Sequence, residues 1–164
     1  MRERISILFV LAGLVCLIFS TSCTKCDEEA TSQTFKQATI KGDALANLDL
    51  SNDTNQWGGY EVQLEKVPSG TIVFARINSY DLDPNPDNFV DYQDITFETE
   101  VNNGEYEVMV YAGPSNVGVT LLADEFTYQT KINDSTYEWR VYAIQNQNLS
   151  VINDQTKFQN LIFN

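Results

Sequence analysis

The feature that most limits the fold is a series of short strand-like segments separated by turn residues, with no convincing helical period of 3.6. The segment "YEVQLEKV" (60–67) alternates apolar and polar residues and predicts a half-buried strand. After the turn Pro68-Ser69-Gly70, the apolar middle of "TIVFARI" (71–77) predicts a strand buried on both faces. Further strands are expected at 117–123, 125–132, 136–144, 149–152 and 158–163.

The segment "DITFETEVNNGEYEVMVYA" (94–112) predicts a β-hairpin around Asn103-Gly104, a dipeptide typical of two-residue turns. This pairing would place Val101 opposite Tyr106 and would turn the apolar residues of both strands toward one face. The other face would carry Glu100 directly opposite Glu107, which costs free energy unless water or a cation screens the two charges.

About eight short strands within about 125 residues predict an all-β fold with a single β-sandwich. We expect about seven to eight strands in a prealbumin-like or immunoglobulin-like arrangement that covers residues 38–164. Within it, Trp139 alternates with Tyr137 and Val141, and its side chain is expected in the core.

The N-terminus has the features of a bacterial export signal. Two arginines precede an apolar run, residues 5–19, which is shorter than the roughly 20 residues that a membrane-spanning helix needs. The sequence Ser20-Thr21-Ser22-Cys23 resembles a lipoprotein cleavage site. We therefore expect a signal peptide at 1–22, a diacylated Cys23 and a flexible tether over 23–37, with a retained membrane anchor as the alternative.

Charge and composition narrow the function. The net charge of −13 excludes nucleic acid as a partner, because nucleic-acid binding needs clustered basic residues. Cations, neutral glycans and other proteins remain. The chain contains no histidine, so the usual nucleophilic triads and zinc sites are ruled out and no enzymatic activity is expected. Paired carboxylates among Glu98, Glu100 and Glu107 are the remaining catalytic alternative.

The segment "SYDLDPNPDNFVDY" (79–92) is the candidate metal site. Asp81, Asp83, Asn85 and Asp87 occupy positions 1, 3, 5 and 7 of a calcium-loop spacing, and Asp91 is a further candidate ligand. The glycine and glutamate that an EF-hand loop requires are replaced by proline and tyrosine. The sequence leaves two readings open: a Ca²⁺ site or an acidic connection between two strands.

Trp57 is the candidate ligand-binding residue. It lies in "NQWGGY" (55–60), where two glycines would allow the indole to project toward a sugar ring. The alternative is a tryptophan that covers one end of the core.

Three segments carry a resemblance to a known family: "ATIKGDALANLDLSND", "EKVPSGTIVFARI" and "ITFETEVNNGEYEVMVYAG". Together they resemble the carboxypeptidase-regulatory or transthyretin-like domains of Bacteroidetes surface lipoproteins. The resemblance implies a prealbumin-like sandwich that binds a protein or glycan partner, or supports an assembly, without catalysis. Asp27, Glu28 and Glu29 are similar to the acidic signal that sends such lipoproteins to the outer face of the outer membrane, although they also fit a merely solvated tether.

Overall fold

The first strand organises one of the two main sheets. In the computed structural model, which describes residues 36–164, β1 (Lys36–Ala46) pairs with four other strands. It runs antiparallel to β2 (Glu65–Lys66) and β5 (Glu105–Ala112), and parallel to β10 (Thr156–Phe158) and β11 (Leu161–Phe163). The signal peptide, Cys23 and residues 24–35 lie outside the described part, so the predictions made for them stay predictions.

The second main sheet is antiparallel throughout and has the order β4-β3-β6-β9. Its strands are β3 (Ile72–Asn78), β4 (Asp94–Glu100), β6 (Val117–Ala123) and β9 (Gln147–Val151). Short 3₁₀ turns at Leu50–Asn52 and Ser79–Leu82 lie in the two long connections.

A separate hairpin consists of β7 (Phe126–Asn133) and β8 (Thr136–Tyr142). The Asn133 side chain accepts a hydrogen bond from the Ser135 backbone N–H, which closes the predicted turn. The helical segments in residues 36–164 are single 3₁₀ turns, and none of them has the length and apolar character to cross a membrane.

The core lies where the two main sheets face each other. In the long strands β1, β3, β5 and β6 alternate residues point inward, and the largest fully buried side chains include Ile40, Ile77, Leu121, Leu161 and Phe163. The all-β prediction is therefore confirmed. Residues 36–164 contain eleven strands rather than seven or eight, because three short pieces of two or three residues also pair with β1. The first strand begins at Lys36, two residues before the predicted boundary.

The predicted pairing of residues 94–100 with 105–112 is wrong, although the turn between them is correct. Asn103 and Gly104 have φ values of 52° and 75°, as a two-residue hairpin turn requires. Only Asn102 and Glu105 pair across that turn, since β4 then joins β3 and β5 joins β1. The expected contact between two glutamates does not form, because Glu100 lies opposite Ile72 and Glu107 opposite Lys41.

Two further predictions about burial are wrong. Of the predicted strand at 60–67, only Glu65–Lys66 is a strand, and Tyr60, Val62 and Leu64 are exposed. The strand β3 lies between β4 and β6, but only one of its faces is fully buried. The other face carries Arg76, which is exposed.

Candidate functional site

The outer face of the β7–β8 hairpin is the first candidate surface. Trp139, expected in the core, is 68% exposed, and Tyr137 and Val141 beside it are also exposed. Each lies directly opposite a polar residue of β7. We call this surface the aromatic face; its members are Thr127, Gln129, Lys131, Tyr137, Trp139 and Val141.

A β-bulge explains why Trp139 points outward. Lys131 pairs with Tyr137 but Asn133 pairs with Thr136, which leaves Ile132 as an extra residue in β7. Without this extra residue, the same turn would pair Trp139 with the buried Thr130. A shift of one residue exchanges the two faces of a strand, so the bulge places Trp139 opposite Gln129 on the solvent side.

The inner face of the hairpin is fixed to the sandwich at Tyr142. The ring of Tyr142 stacks on Phe126, with 5.3 Å between centroids, and is almost fully buried. Its hydroxyl donates to the Asn47 carbonyl at 2.7 Å and lies 2.6 Å from Thr130 Oγ1. Since the single tyrosine proton goes to Asn47, the Thr130 hydroxyl donates to Tyr142. The aromatic face is therefore held on an anchored base.

Charge on the aromatic face is compensated. Its one charged side chain, Lys131, lies 3.3 Å from Asp134 and 3.8 Å from Asp49. The contact with Asp134, with a smaller contribution from the charge of Asp49, raises the pKa of Lys131. The surface therefore presents aromatic rings and neutral polar groups with little net charge.

The second candidate surface is the loop that carries Trp57, which is 85% exposed. The loop is ordered by Asp53, which is itself buried and accepts hydrogen bonds from Asn47 Nδ2 and from the Gln63 backbone N–H, both at 2.8 Å. A tryptophan covering the core would be buried, so that alternative is wrong. The proposed ligand-binding role of Trp57 stays a prediction.

The two surfaces adjoin each other. The backbone N–H of Lys131 donates to Leu48, and the backbone N–H of Leu48 donates to the Glu65 carboxylate at 2.7 Å. The loop that carries Trp57 ends at this glutamate. Both tryptophans of the chain, Trp57 and Trp139, thus lie in solvent on neighbouring segments.

In the candidate calcium loop (residues 79–92), each of Asp81, Asp83 and Asp87 accepts hydrogen bonds from its own donors. Asp81 accepts from the Gly118 N–H at 2.7 Å. Asp83 accepts from the Asn85 N–H at 2.8 Å and from the Tyr92 hydroxyl at 2.7 Å. The first of these bonds, followed by the second, lowers the pKa of Asp83.

The rest of the loop follows the same pattern, since Asp87 accepts from the Phe89 N–H at 3.0 Å, as in an Asx turn. The side chains of Asn85 and Asp91 make no hydrogen bond to these groups within residues 36–164. No three acidic or thiol side chains within residues 36–164 are grouped closely enough to hold a metal. The geometry favours an acidic connection between strands, and calcium binding stays a prediction.

A cleft of about 730 Å³ lies beside the β4–β5 turn. Glu100 and Glu107, which the sequence indicated as possible catalytic partners, both line it, whereas Glu98 does not. Asp43 and Glu105 also line it, and the exposed ring of Phe158 lies at its edge with the Lys41 ammonium 5.2 Å from the ring centroid. The cleft therefore brings together several carboxylates, and the catalytic alternative stays a prediction.

No model of a known protein family matches this chain, and no curated protein matches its sequence. The aromatic face is a candidate surface that the sequence did not predict, since Trp139 was expected in the core. The signal was present in β7, where Phe126 and Thr130 lie on the buried face. The extra residue in the bulge decides whether Trp139 points toward the core or toward solvent, and no pattern in the sequence indicates that residue.

Proposed function

We propose that this chain is a non-catalytic, lipid-anchored binding module of a bacterial cell envelope, and that its aromatic face binds a neutral glycan. One observation carries the proposal: Trp139, Tyr137 and Val141 form an apolar face that is turned into solvent. Folding gains nothing from this exposure, because burial of a large apolar side chain stabilises a protein by about 1.5–3 kcal/mol. Residues that break the folding pattern in this way are expected at functional sites.

The chemistry of the face suits a sugar better than a charged ligand. The apolar face of a pyranose ring packs on an indole or phenol ring, and its hydroxyl groups need neutral hydrogen-bond partners nearby. Gln129 lies opposite Trp139 and Thr127 lies opposite Val141, and neither side chain has a hydrogen-bond partner among residues 36–164. The compensated charge of Lys131 supports a neutral ligand.

The placement in the envelope is supported by the N-terminal sequence. The short apolar run and the small residues before Cys23 favour export and lipidation, and the resemblance to transthyretin-like surface lipoproteins favours the outer face of the outer membrane. The absence of histidine from the sequence supports a module without catalysis. The partner is then a glycan at the cell surface, reached from the membrane through the tether.

Binding to neutral polysaccharides tests the ligand class. We expect the purified protein to be retained by at least one insoluble neutral polysaccharide, and Trp139→Ala to lose this retention by about tenfold or more because burial of a large apolar side chain contributes about 1.5–3 kcal/mol. The matched control is Phe89→Ala, which removes an even more exposed ring from the acidic loop and should change nothing. Equal losses in both variants, or retention that Trp139→Ala does not affect, would contradict the proposal.

Metabolic labelling with a fatty acid tests the anchor separately. The unaltered chain should incorporate label and partition with membranes, and Cys23→Ser should do neither, whereas Cys26→Ser should behave like the unaltered chain. Label retained by Cys23→Ser would move the lipid to another residue. A protein that stays unmodified by a membrane-impermeant reagent in intact cells would not face outward.

A further inference from the structure

Within residues 36–164, no strand lies beside the outer edge of β8. Its other edge pairs with β7, and no backbone group of residues 136–142 bonds outward to another part of the described chain. Such an edge presents a row of unpaired N–H and C=O groups and is a template for another strand. At the base of the hairpin the next residue, Ala143, exchanges hydrogen bonds with Asn164, so the free edge ends there.

Two other edge strands of the sandwich, β4 and β5, carry like charges, whereas the edge strand β9 carries no charged residue. The edge of β4 carries Asp94, Glu98 and Glu100, and the edge of β5 carries Glu105 and Glu107, with no basic residue in either strand. Two copies that approached along these edges would bring carboxylates together, which is a common way to prevent pairing. In contrast, β8 carries one acidic and one basic residue and has no net charge.

The charges of β8 are arranged so that the strand complements itself. Glu138 and Arg140 lie on the same face, 3.0 Å apart at their nearest side-chain atoms. Consider two antiparallel copies of β8 related by a two-fold axis that passes beside Trp139. Glu138 of each copy then lies opposite Arg140 of the other, because the two residues are equally distant from the axis. An axis at Glu138 or at Arg140 would instead place like charges opposite each other.

We propose that two copies of this chain associate through antiparallel pairing of their β8 strands, centred on Trp139. The interface is isologous, as a two-fold dimer requires, and contains two Glu138–Arg140 pairs. The pairing joins two hairpins into one four-stranded sheet, β7-β8-β8-β7, with the two sandwich bodies at opposite ends. It occurs where the acidic surface of this chain is locally neutral, so general repulsion opposes it least.

The dimer also unites the two aromatic faces. Both Trp139 side chains lie next to each other across the axis, and Tyr137 of each copy lies opposite Val141 of the other. The result is a single platform of twice the length. The pairing depends on the free edge and its charges and not on the nature of the ligand, so it can hold even if the proposed glycan binding fails.

A disulfide trap tests the pairing in the full-length chain in the envelope. Residues opposite each other in an antiparallel pair have Cα atoms about 4.5–5.5 Å apart, within the range that a disulfide spans. Trp139→Cys should therefore give a covalent dimer under mild oxidation. The control is Gln129→Cys on the same face, whose copies would be about 14 Å apart across three strand spacings and beyond reach. The unaltered chain gives the background from its native cysteines.

A charge exchange tests the register. Adding Glu138→Arg to Trp139→Cys should lower the dimer yield by about tenfold, because two attractive cross-strand pairs become repulsive. Adding Arg140→Glu as well should restore the yield, since opposite charges again face each other. Glu98→Arg, an equal charge change on the edge strand β4 at a residue that lies opposite Phe74, should not lower it.

The outcomes separate clearly. A dimer trapped at 139 and not at 129, weakened by Glu138→Arg and restored by the exchange, supports the proposal. No dimer at 139, equal yields at 139 and 129, or indifference to the charge exchange would overturn it. Because Trp139 and Glu138 are both exposed, these substitutions leave the core intact.

Discussion

At the residue scale, the hydroxyl of Tyr142 connects the hairpin to the first strand. Tyr142→Phe would leave the Asn47 carbonyl without its donor and the Thr130 hydroxyl without its acceptor. Because an unsatisfied buried polar group costs about 1–3 kcal/mol, we expect the free energy of unfolding to fall by an amount in that range. Urea denaturation of the purified domain measures it.

The control for this prediction is Tyr137→Phe, which removes an exposed hydroxyl from the same strand. It should change the free energy of unfolding by less than about 0.5 kcal/mol. If both variants lose the same stability, the buried network around Tyr142 does not hold the hairpin.

The carboxylate of Asp83 provides a second prediction at this scale. Its pKa is lowered by the Asn85 N–H and then by the Tyr92 hydroxyl. A carboxyl with a lowered folded pKa stabilises the native state above its unfolded pKa, about 3.9, and this contribution disappears as the pH falls through the folded value. Tyr92→Phe should therefore raise the titration midpoint of Asp83 part of the way to the ordinary value, measured by NMR of its side-chain carboxyl carbon.

Only part of the shift should disappear, since the bond from Asn85 remains. Tyr80→Phe is the matched control, because the Tyr80 ring packs edge-on against Tyr92, with 5.1 Å between centroids, but its hydroxyl does not contact Asp83. A midpoint that is the same in all three proteins would show that Tyr92 does not influence the carboxylate.

At the element scale, the turn between β4 and β5 depends on Gly104. Its φ of 75° is unfavourable for residues with a side chain, and a Cβ there would overlap the side chain of Lys66. Gly104→Ala should therefore destabilise the domain by about 1–3 kcal/mol. Gly58→Ala tests conformation alone, since φ is 78° but the space around it is open, and it should cost only about 1 kcal/mol. Thermal unfolding of both variants measures the two losses of stability. Equal losses would mean that the contact with Lys66 is unimportant.

The same turn shows how far the sequence specifies this fold. Alternation correctly predicted which residues of β4 and β5 face the core, and Asn103-Gly104 correctly predicted the turn. Alternation did not reveal which strands β4 and β5 pair with. The apolar faces of β4 and β5 are buried equally well whether the two strands lie side by side in one sheet or in two sheets that face each other. The prediction for Trp139 failed for a different reason. One extra residue, Ile132, decides the orientation of β8, and bulges have no strong sequence signal.

The candidate sites were predicted less well than the core. The acidic loop was correctly located, but spacing alone did not show that Asp83 and Asp87 would bond to backbone groups of their own loop. The structure places Trp57 in solvent, and its ligand-binding role stays a prediction. The contacts of the loop carboxylates and the exposure of Trp57 depend on the folded structure, and a local sequence pattern does not contain that information.

At the scale of the whole molecule, net charge predicts the response to cations. With a charge of −13, self-repulsion opposes the compact state, and added salt should raise the melting temperature by screening it. Calcium and magnesium at equal ionic strength should act equally, because the acidic loop uses its carboxylates singly. A melting temperature raised by calcium alone, and restored to the magnesium value by Asp81→Asn with Asp83→Asn, would instead establish a calcium site.

The parallel pairing of β1 with β10 and β11 has a consequence for timing. The strand that begins the domain receives its last neighbours from residues 156–163, more than a hundred positions later, and Leu161 and Phe163 are fully buried there. Contacts so distant in sequence form slowly and only after the intervening chain exists. Synthesis therefore has to pass residue 163 before the sandwich can close. Folding of the complete sandwich can thus follow export, which suits a protein proposed to cross a membrane before it folds.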